Sequence, residues 1–410
     1  ADEADNHEPS GPLHGFPIAF KDLEDAVGFP NTSGSPIFRD YYPEKDTAIV
    51  ERLRNAGALP IGKTNVPEFG LGSHTYNPVF GPTRNPWNTG LTAGGSSGGA
   101  AVAVATGMLP LTDGSDMGGS LRNPGNFNNV VGFRPTPGLV PKWPSGTPWL
   151  PLSVKGPIAR SVEDIGFFLS AMAGYDERDQ LSYQVDTDAF AGDLAIDPKG
   201  LRIAFCPDLG GLPLDPEVRR VLESTRSVFV DLGCEVEDVA PDLTDADHIF
   251  KTLRAFSLTS DVSLIRDHRD QLKPEAIWNI EQGLKLGAAD VAGAMVKQSA
   301  LFRRMAEFMS RYDAIVCAVN QVPPFPIETT WPREIDGVEM ETYIDWMKSA
   351  YFITVTRQPA ISVPAGFTSD GLPVGVQIAG RHREDLDLLK LAHAFERATQ
   401  VSRQRPPIAN

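Results

Sequence analysis

Ala93-Gly94-Gly95-Ser96-Ser97-Gly98-Gly99 and, shortly after it, Asp113-Gly114-Ser115-Asp116-Met117-Gly118-Gly119-Ser120-Leu121-Arg122 are the stretches that organise this chain. Both set serines among glycines, which permit unusual backbone conformations and let a substrate approach the main chain closely. Between them Ala100-Ala101-Val102-Ala103-Val104-Ala105 reads as a buried helix of small residues, a rigid spacer between the two serine loops. A serine hydroxyl needs a base to become a nucleophile, and no histidine lies near either loop. Upstream, Gly15-Phe16-Pro17-Ile18-Ala19-Phe20-Lys21-Asp22 ends an apolar, strand-like run on a lysine. Burial lowers a lysine pKa, and a neutral lysine can act as a base.

Lys21, the Gly-Gly-Ser-Ser-Gly-Gly segment and Asp116-Met117-Gly118-Gly119-Ser120-Leu121-Arg122 resemble, in order and spacing, the amidase signature family of serine hydrolases. The separations are 75 residues from Lys21 to Ser96 and 24 from Ser96 to Ser120, and the resemblance runs from about Gly11 to the C-terminus. It implies an α/β fold, a twisted mixed sheet covered by helices on both faces, with Ser120 as nucleophile, Ser96 as a bridging serine on a cis peptide, and Lys21 as terminal base. It further implies Ser97 as a supporting hydrogen-bonder, Asp116 and Arg122 as a bracing pair, and an oxyanion hole of backbone N–H groups from Met117, Gly118, Gly119 and Ser120. The family draws part of its acyl pocket from the segment after the nucleophile, which makes Trp143, Trp149 and Leu150 pocket candidates, together with Tyr76 and Phe325. The implied activity is hydrolysis of a linear amide, apolar or aryl, to a carboxylic acid and ammonia or an amine. Two alternatives stay open: a carbamate or ester hydrolase, urethanase-like, on the same triad, and a glutamine-amidotransferase-type subunit that needs a partner. The latter usually reads Asp-Thr-Gly-Gly-Ser-Ile-Arg-Gln-Pro, whereas Met117 and Asn123 stand here in place of the threonine and glutamine. Lys21 falls earlier than in family members, so their N-terminal helical segment is expected to be missing, either removed or naturally absent.

The composition bounds the rest. Charged residues make up 22% and the net charge is −16 with no block of like charges, an acidic surface that argues against nucleic acid as partner. Gly and Pro number 38 and 35 of 410 residues, above the roughly 12% usual for the two together, so much of the chain is loop. Cys206, Cys234 and Cys317 are far apart and odd in number, which reads as reduced thiols of a cytoplasmic protein. No apolar run is long enough for a membrane span. The seven histidines form no H-x-x-x-H pair, so neither metal nor cofactor is expected. The expected partner is a small-molecule amide, and the oligomeric state, monomer or homodimer, stays open.

Working outward, residues 16–20 read as a strand, Asp46-Thr47 opens a helix with Ile49, Val50 and Leu53 on one face, and residues 58–61 form the next strand. The same strand–helix–strand order returns at residues 201–239, after a polar stretch at 175–199. That is the grammar of an α/β sheet. One continuous sheet in a single domain, residues 1–410 with the catalytic core at about 11–175, is therefore expected. Residues 244–311 read as helical, 314–319 as a central strand, and 359–365 and 373–379 as strands joined through the turn Thr368-Ser369-Asp370-Gly371. Two motifs mislead. Gly57-Ala58-Leu59-Pro60-Ile61-Gly62-Lys63-Thr64 matches a phosphate-binding loop but follows a helix and meets Pro67 instead of opening a helix. Gly94-Gly95-Ser96-Ser97-Gly98 matches a nucleophile elbow but lacks the strand that must precede it.

Overall fold

The structure, a computed structural model, describes residues 11–409. Its centre is an eight-stranded mixed sheet. The chain enters through β1 (Pro17–Lys21), α1 (Ala48–Asn55) and β2 (Leu59–Thr64), then α2 (Gly98–Ala105), β3 (Leu111–Asp116), α3 (Arg122–Phe127), β4 (Val131–Arg134), β5 (Val154–Ala159) and α4 (Val162–Met172). After these come β6 (Arg202–Phe205), α5 (Pro216–Asp231), β7 (Glu235–Asp238), and the helices α6 (Ala246–Ser257), α7 (Val262–His268), α8 (Pro274–Leu284) and α9 (Ala288–Met309). The last third supplies β8 (Ala314–Ala318), α10 (Lys348–Thr356), β9 (Ala360–Phe367), β10 (Pro373–Gly380) and α11 (Asp385–Thr399). Across the sheet the strands run β3-β5-β4-β9-β10-β8-β6-β7. Pairing is antiparallel as far as β8 and parallel through β6 and β7.

Local chemistry sets the boundaries. Ser161 caps α4 by accepting the Asp164 N–H at 3.1 Å, and Asp215 caps α5 by accepting that of Glu217, with Pro216 fixing the first turn. Strand β8 is apolar throughout because it is covered twice: Ala314, Val316 and Ala318 face one core, and Ile315 and Cys317 the other. The first core takes Ile49 and Leu53 of α1, Phe168 and Leu169 of α4, and Phe229 of α5 stacked on Phe395 of α11. The second takes Phe250 of α6, stacked on Tyr351 of α10, with Leu301 and Met305 of α9. Helices thus cover both faces.

The expectation of one continuous sheet is corrected at its beginning. Strands β1 and β2 pair in parallel as a sheet of their own. The β1 backbone meets the edge strand β3 through side chains: Thr112 Oγ1 donates to Ala19 O at 2.8 Å, and Asp113 Oδ1 accepts the Lys21 N–H at 3.0 Å. These short polar side chains intercept the groups that a backbone ladder would have used. Lys63, the lysine of the phosphate-loop match, lies in β2 and donates to Glu24 O at 2.6 Å and approaches Asp22 at 3.5 Å. Among the described residues no helix is long and apolar enough to cross a membrane, and no cluster of three or more His, Cys, Asp or Glu is placed to hold a metal ion.

Candidate active site

Lys21 ends β1 with its side chain fully buried. Its Nζ lies 2.9 Å from Ser96 Oγ, 2.8 Å from Ser97 Oγ and 3.0 Å from Ser115 Oγ, with Ser115 O at 3.3 Å. An ammonium has three protons for these four oxygens, and a neutral amine two protons and a lone pair that a hydroxyl can address. Burial, reinforced by the nearby Lys155 ammonium, lowers the Lys21 pKa to about 7, against the opposing pull of Glu24, Asp113 and Asp116. Burial also raises the Asp113 carboxyl, with Glu24 adding to the effect.

The Gly95–Ser96 peptide is cis, and Ser96 Oγ faces Lys21. Ser97, at the N-terminus of α2, donates its backbone N–H to Ser120 O at 3.2 Å, which ties the two serine loops together. Gly114 makes this approach possible: a Cβ there would stand 2.6 Å from Leu121 and 2.8 Å from Ser97 Oγ.

The turn from β3 into α3 is held by a buried charge cluster. Asp116 receives Arg122 on both carboxylate oxygens, Nε to Oδ2 at 3.0 Å and Nη2 to Oδ1 at 2.9 Å, while Arg134 Nη1 approaches Oδ1 at 3.2 Å. Burial alone would raise the Asp116 pKa, but the two guanidiniums overcome it and hold the carboxyl well below the usual range. Arg122 is anchored further by Ala350 O, Gln377 Oε1 and Thr354 Oγ1. Asp116 also accepts the N–H groups of Gly119 at 3.0 Å and Leu121 at 3.1 Å. With Gly119 at φ +107°, the turn leaves the N–H groups of Met117, Gly118 and Ser120 without a partner among the described residues. The Gly119 N–H, expected in the oxyanion hole, is thus committed to Asp116. Backbone donors held beside a serine suit a developing oxyanion.

Ser96, Ser115, Met117, Gly118 and Ser120 open onto one small cleft, walled by Leu23, Phe69, Leu71, Phe250, Leu258 and Met347. Among the described residues no hydrogen bond joins Ser96 Oγ to Ser120 Oγ, so the expected contact of Ser96 with both partners is formed on the Lys21 side alone. None of the five pocket candidates borders this cleft. Tyr76 donates to Glu275 at 2.7 Å, and Phe325 is buried between His74, Phe127 and Trp346. Trp143 sits under Arg178, Trp149 is exposed, and Leu150 packs partly against the second core. Sequence reasoning does not single out Ser115, Asp113 or Phe250. The first two stand two apart in β3, a spacing that puts both on the face toward β1.

A buried amine of lowered basicity against three hydroxyls, beside a glycine turn with free N–H donors, defines a hydrolase of the acyl-transfer class. A profile of the Amidase family matches residues 1–389, and the chain belongs to that family and hydrolyses amide bonds. It is 36% identical over 403 residues to an acylamidase of Rhodococcus erythropolis, covering 97% of this chain and 84% of that one. To one of the subunits of the glutamyl-tRNA(Gln) amidotransferase of Geobacillus kaustophilus it is 34% identical, covering 99% and 88%. Among solved structures it is similar to a bacterial aryl acylamidase of the amidase signature family, with a TM-score of 0.90 at 29% identity over 97% of this chain and 85% of the other.

Proposed function

We propose that this chain is an acylamidase for apolar or aryl amides, working through an acyl-Ser120 intermediate with Ser96 and Lys21 as its proton path, in a single domain. The observation that carries the reading is Lys21 Nζ, buried with its pKa near neutrality and 2.9 Å from Ser96 Oγ, beneath the cleft onto which Ser120 opens. Ser120 Oγ attacks the amide carbonyl carbon. Its proton passes to Ser96 Oγ as the Ser96 proton passes to neutral Lys21, and the N–H groups of Met117, Gly118 and Ser120 receive the oxyanion. The protons then return by the same path to the leaving nitrogen, the C–N bond breaks, and water repeats the cycle on the ester. A turn of the Ser120 hydroxyl toward Ser96 completes the path, in keeping with catalytic hydrogen bonds that tighten only around substrate. Ser97 and Ser115 hold the amine, and Asp116 with Arg122 holds the turn. The aliphatic and aromatic cleft walls, together with likeness to an acylamidase and an aryl acylamidase, favour an apolar or aryl amide. The same chemistry extends to carbamates and esters.

The test is turnover of anilides, aliphatic amides, carbamates and esters by the isolated chain, beside Ser120→Ala. Cleavage of anilides without any partner protein, lost in the variant while its circular dichroism is unchanged, is the expected result. Near-native kcat in Ser120→Ala refutes the nucleophile, and activity that needs a partner protein refutes the acylamidase in favour of the amidotransferase reading.

A further inference from the structure

One wall of the cleft carries a cation for which the amidase chemistry has no use. Phe250, Arg254 and Leu258 recur every four residues along α6 and its extension, a spacing that sets them on one stripe, and all three line the cleft that holds Ser96 and Ser120. Arg254 is only 6% exposed. Its Nη1 donates to Asn279 Oδ1 and its Nη2 to the Tyr343 hydroxyl at 2.6 Å, and Asn279 Nδ2 donates to the same hydroxyl at 2.5 Å. Both acceptors are neutral. Among the described residues Arg254 forms no ion pair, whereas the buried Arg122 and Arg134 share Asp116. The nearby carboxylates Glu68 and Glu275 act on this cluster at longer range and bond other groups. Glu68 Oε2 accepts the Lys273 N–H at 2.9 Å, Glu275 Oε1 accepts the Tyr76 hydroxyl at 2.7 Å, and Lys273 itself adds positive charge nearby.

A guanidinium withdrawn from water without an ion-pair partner in direct contact is costly, and here it has N–H groups to spare. Of its five, the structure engages one on each terminal nitrogen and leaves Nε without a partner among the described residues. Spare N–H groups on a cation in the wall of a cleft that, among its lining residues, holds no other charged side chain fit a planar anion bound through two parallel hydrogen bonds. We infer that Arg254 is a specificity-determining residue that binds a carboxylate carried by the amide substrate, so that the preferred substrates are apolar or aryl amides ending in a carboxylate. The inference rests on Ser120 as the reacting centre of the same cleft.

The experiment compares two matched pairs. The glutaryl and 5-methylhexanoyl anilides place a carboxylate or its branched-alkyl isostere on the acyl side. 4-Acetamidobenzoate and 4-isopropylacetanilide do so on the amine side. In at least one pair the wild-type chain should favour the carboxylate in kcat/KM, mainly through KM. Charge-assisted hydrogen bonds of ~1.5–3 kcal/mol correspond to a preference of roughly 10- to 150-fold. Arg254→Gln, which can still bond Asn279 and Tyr343, should abolish that preference, read as the ratio within each pair, and Arg254→Lys should restore part of it. The ratio within each pair cancels any general loss of folded enzyme. Absence of a carboxylate preference in the wild type overturns the inference without any variant. Equal losses on both members of the favoured pair in Arg254→Gln also overturn it. If neutral anilides are cleaved in a Ser120-dependent way yet neither pair discriminates, only Arg254's role falls. If no anilide is cleaved, the acylamidase reading falls first.

Discussion

Glu24→Gln and Lys155→Met should move the acid limb of kcat/KM in opposite directions. Burial brings the Lys21 pKa to about 7, so the neutral base is about half populated at pH 7. An exposed lysine near 10.5 would supply roughly one neutral amine in three thousand. The fine adjustment comes from an ion pair nearby: Lys155 bonds Glu24 Oε1, and its charge lowers the Lys21 pKa while that of Glu24 raises it. A full charge close enough to perturb a buried amine without bonding it directly is expected to shift its pKa by about one unit once screening is allowed for. Glu24→Gln keeps an acceptor for Thr47 Oγ1 but removes the negative charge, and should move the limb down by about one unit. Lys155→Met removes the opposing cation and leaves Glu24 uncompensated, so both effects push the limb up by about as much. The assay is kcat/KM for a neutral anilide from pH 5 to 9 at constant ionic strength, with folding followed by circular dichroism. Shifts of the same sign in the two variants, or an acid limb that persists in the residual activity of Lys21→Ala, would refute Lys21 as the titrating base.

Asp116→Asn should leave Arg122 and Arg134 as neighbouring buried cations without their anion, destabilising the fold by ~3–5 kcal/mol; a denaturant midpoint equal to wild type would contradict the bracing role. Gly114→Ala should lower kcat far more than it lowers stability, because its methyl meets Ser97 Oγ and Leu121 first, with overpacking worth ~1–3 kcal/mol. Parallel kcat and melting measurements decide this, and unchanged kcat counts against it. In Lys21→Met the gain in melting temperature over wild type should be larger at pH 6.5 than at pH 9.5. The folded pKa of about 7 lies below the unfolded value of 10.5, so the buried amine's penalty is full below 7 and fades as pH rises to 10.5. A pH-independent difference would mean that Lys21 is not desolvated.

The candidate site is legible in the sequence through resemblance, because its serines, glycines and strand-end lysine stand in the order and spacing of the amidase signature family; from its own neighbours Lys21 reads as a strand-end surface lysine. The helix with Ile49, Val50 and Leu53 on one face is legible through period, and the turn at 368–371 through its residue types. Contacts between distant segments are not. Arg254 meets Tyr343 and Asn279 across 89 and 25 residues, and nothing in its own surroundings distinguishes it from a solvated arginine. Tyr76 and Phe325 stand out as aromatics near glycine or proline, yet such rings fill cores as readily as pockets, and the core claims Phe325. The pairing of β1 escapes the sequence because period reports that a strand exists but not which neighbour its backbone addresses. The commitment of the Gly119 N–H escapes it too, because the donor that a carboxylate takes depends on the turn's conformation.

The separate seating of β1 has a bearing on how the sheet ends. An eight-stranded sheet has two rims of unpaired backbone, each a template for another chain. At one rim β7 is short and carries Glu235, Glu237 and Asp238, whose charges repel an incoming strand. At the other, β3 has no such acidic fringe facing solvent; β1 lies over it, fastened by Thr112 and Asp113. The segment that covers this rim is also the one that delivers Lys21. Protection from edge-to-edge association and delivery of the proposed base therefore depend on the same docking, and on that proposal a chain in which β1 comes away from β3 would become sticky and inactive together.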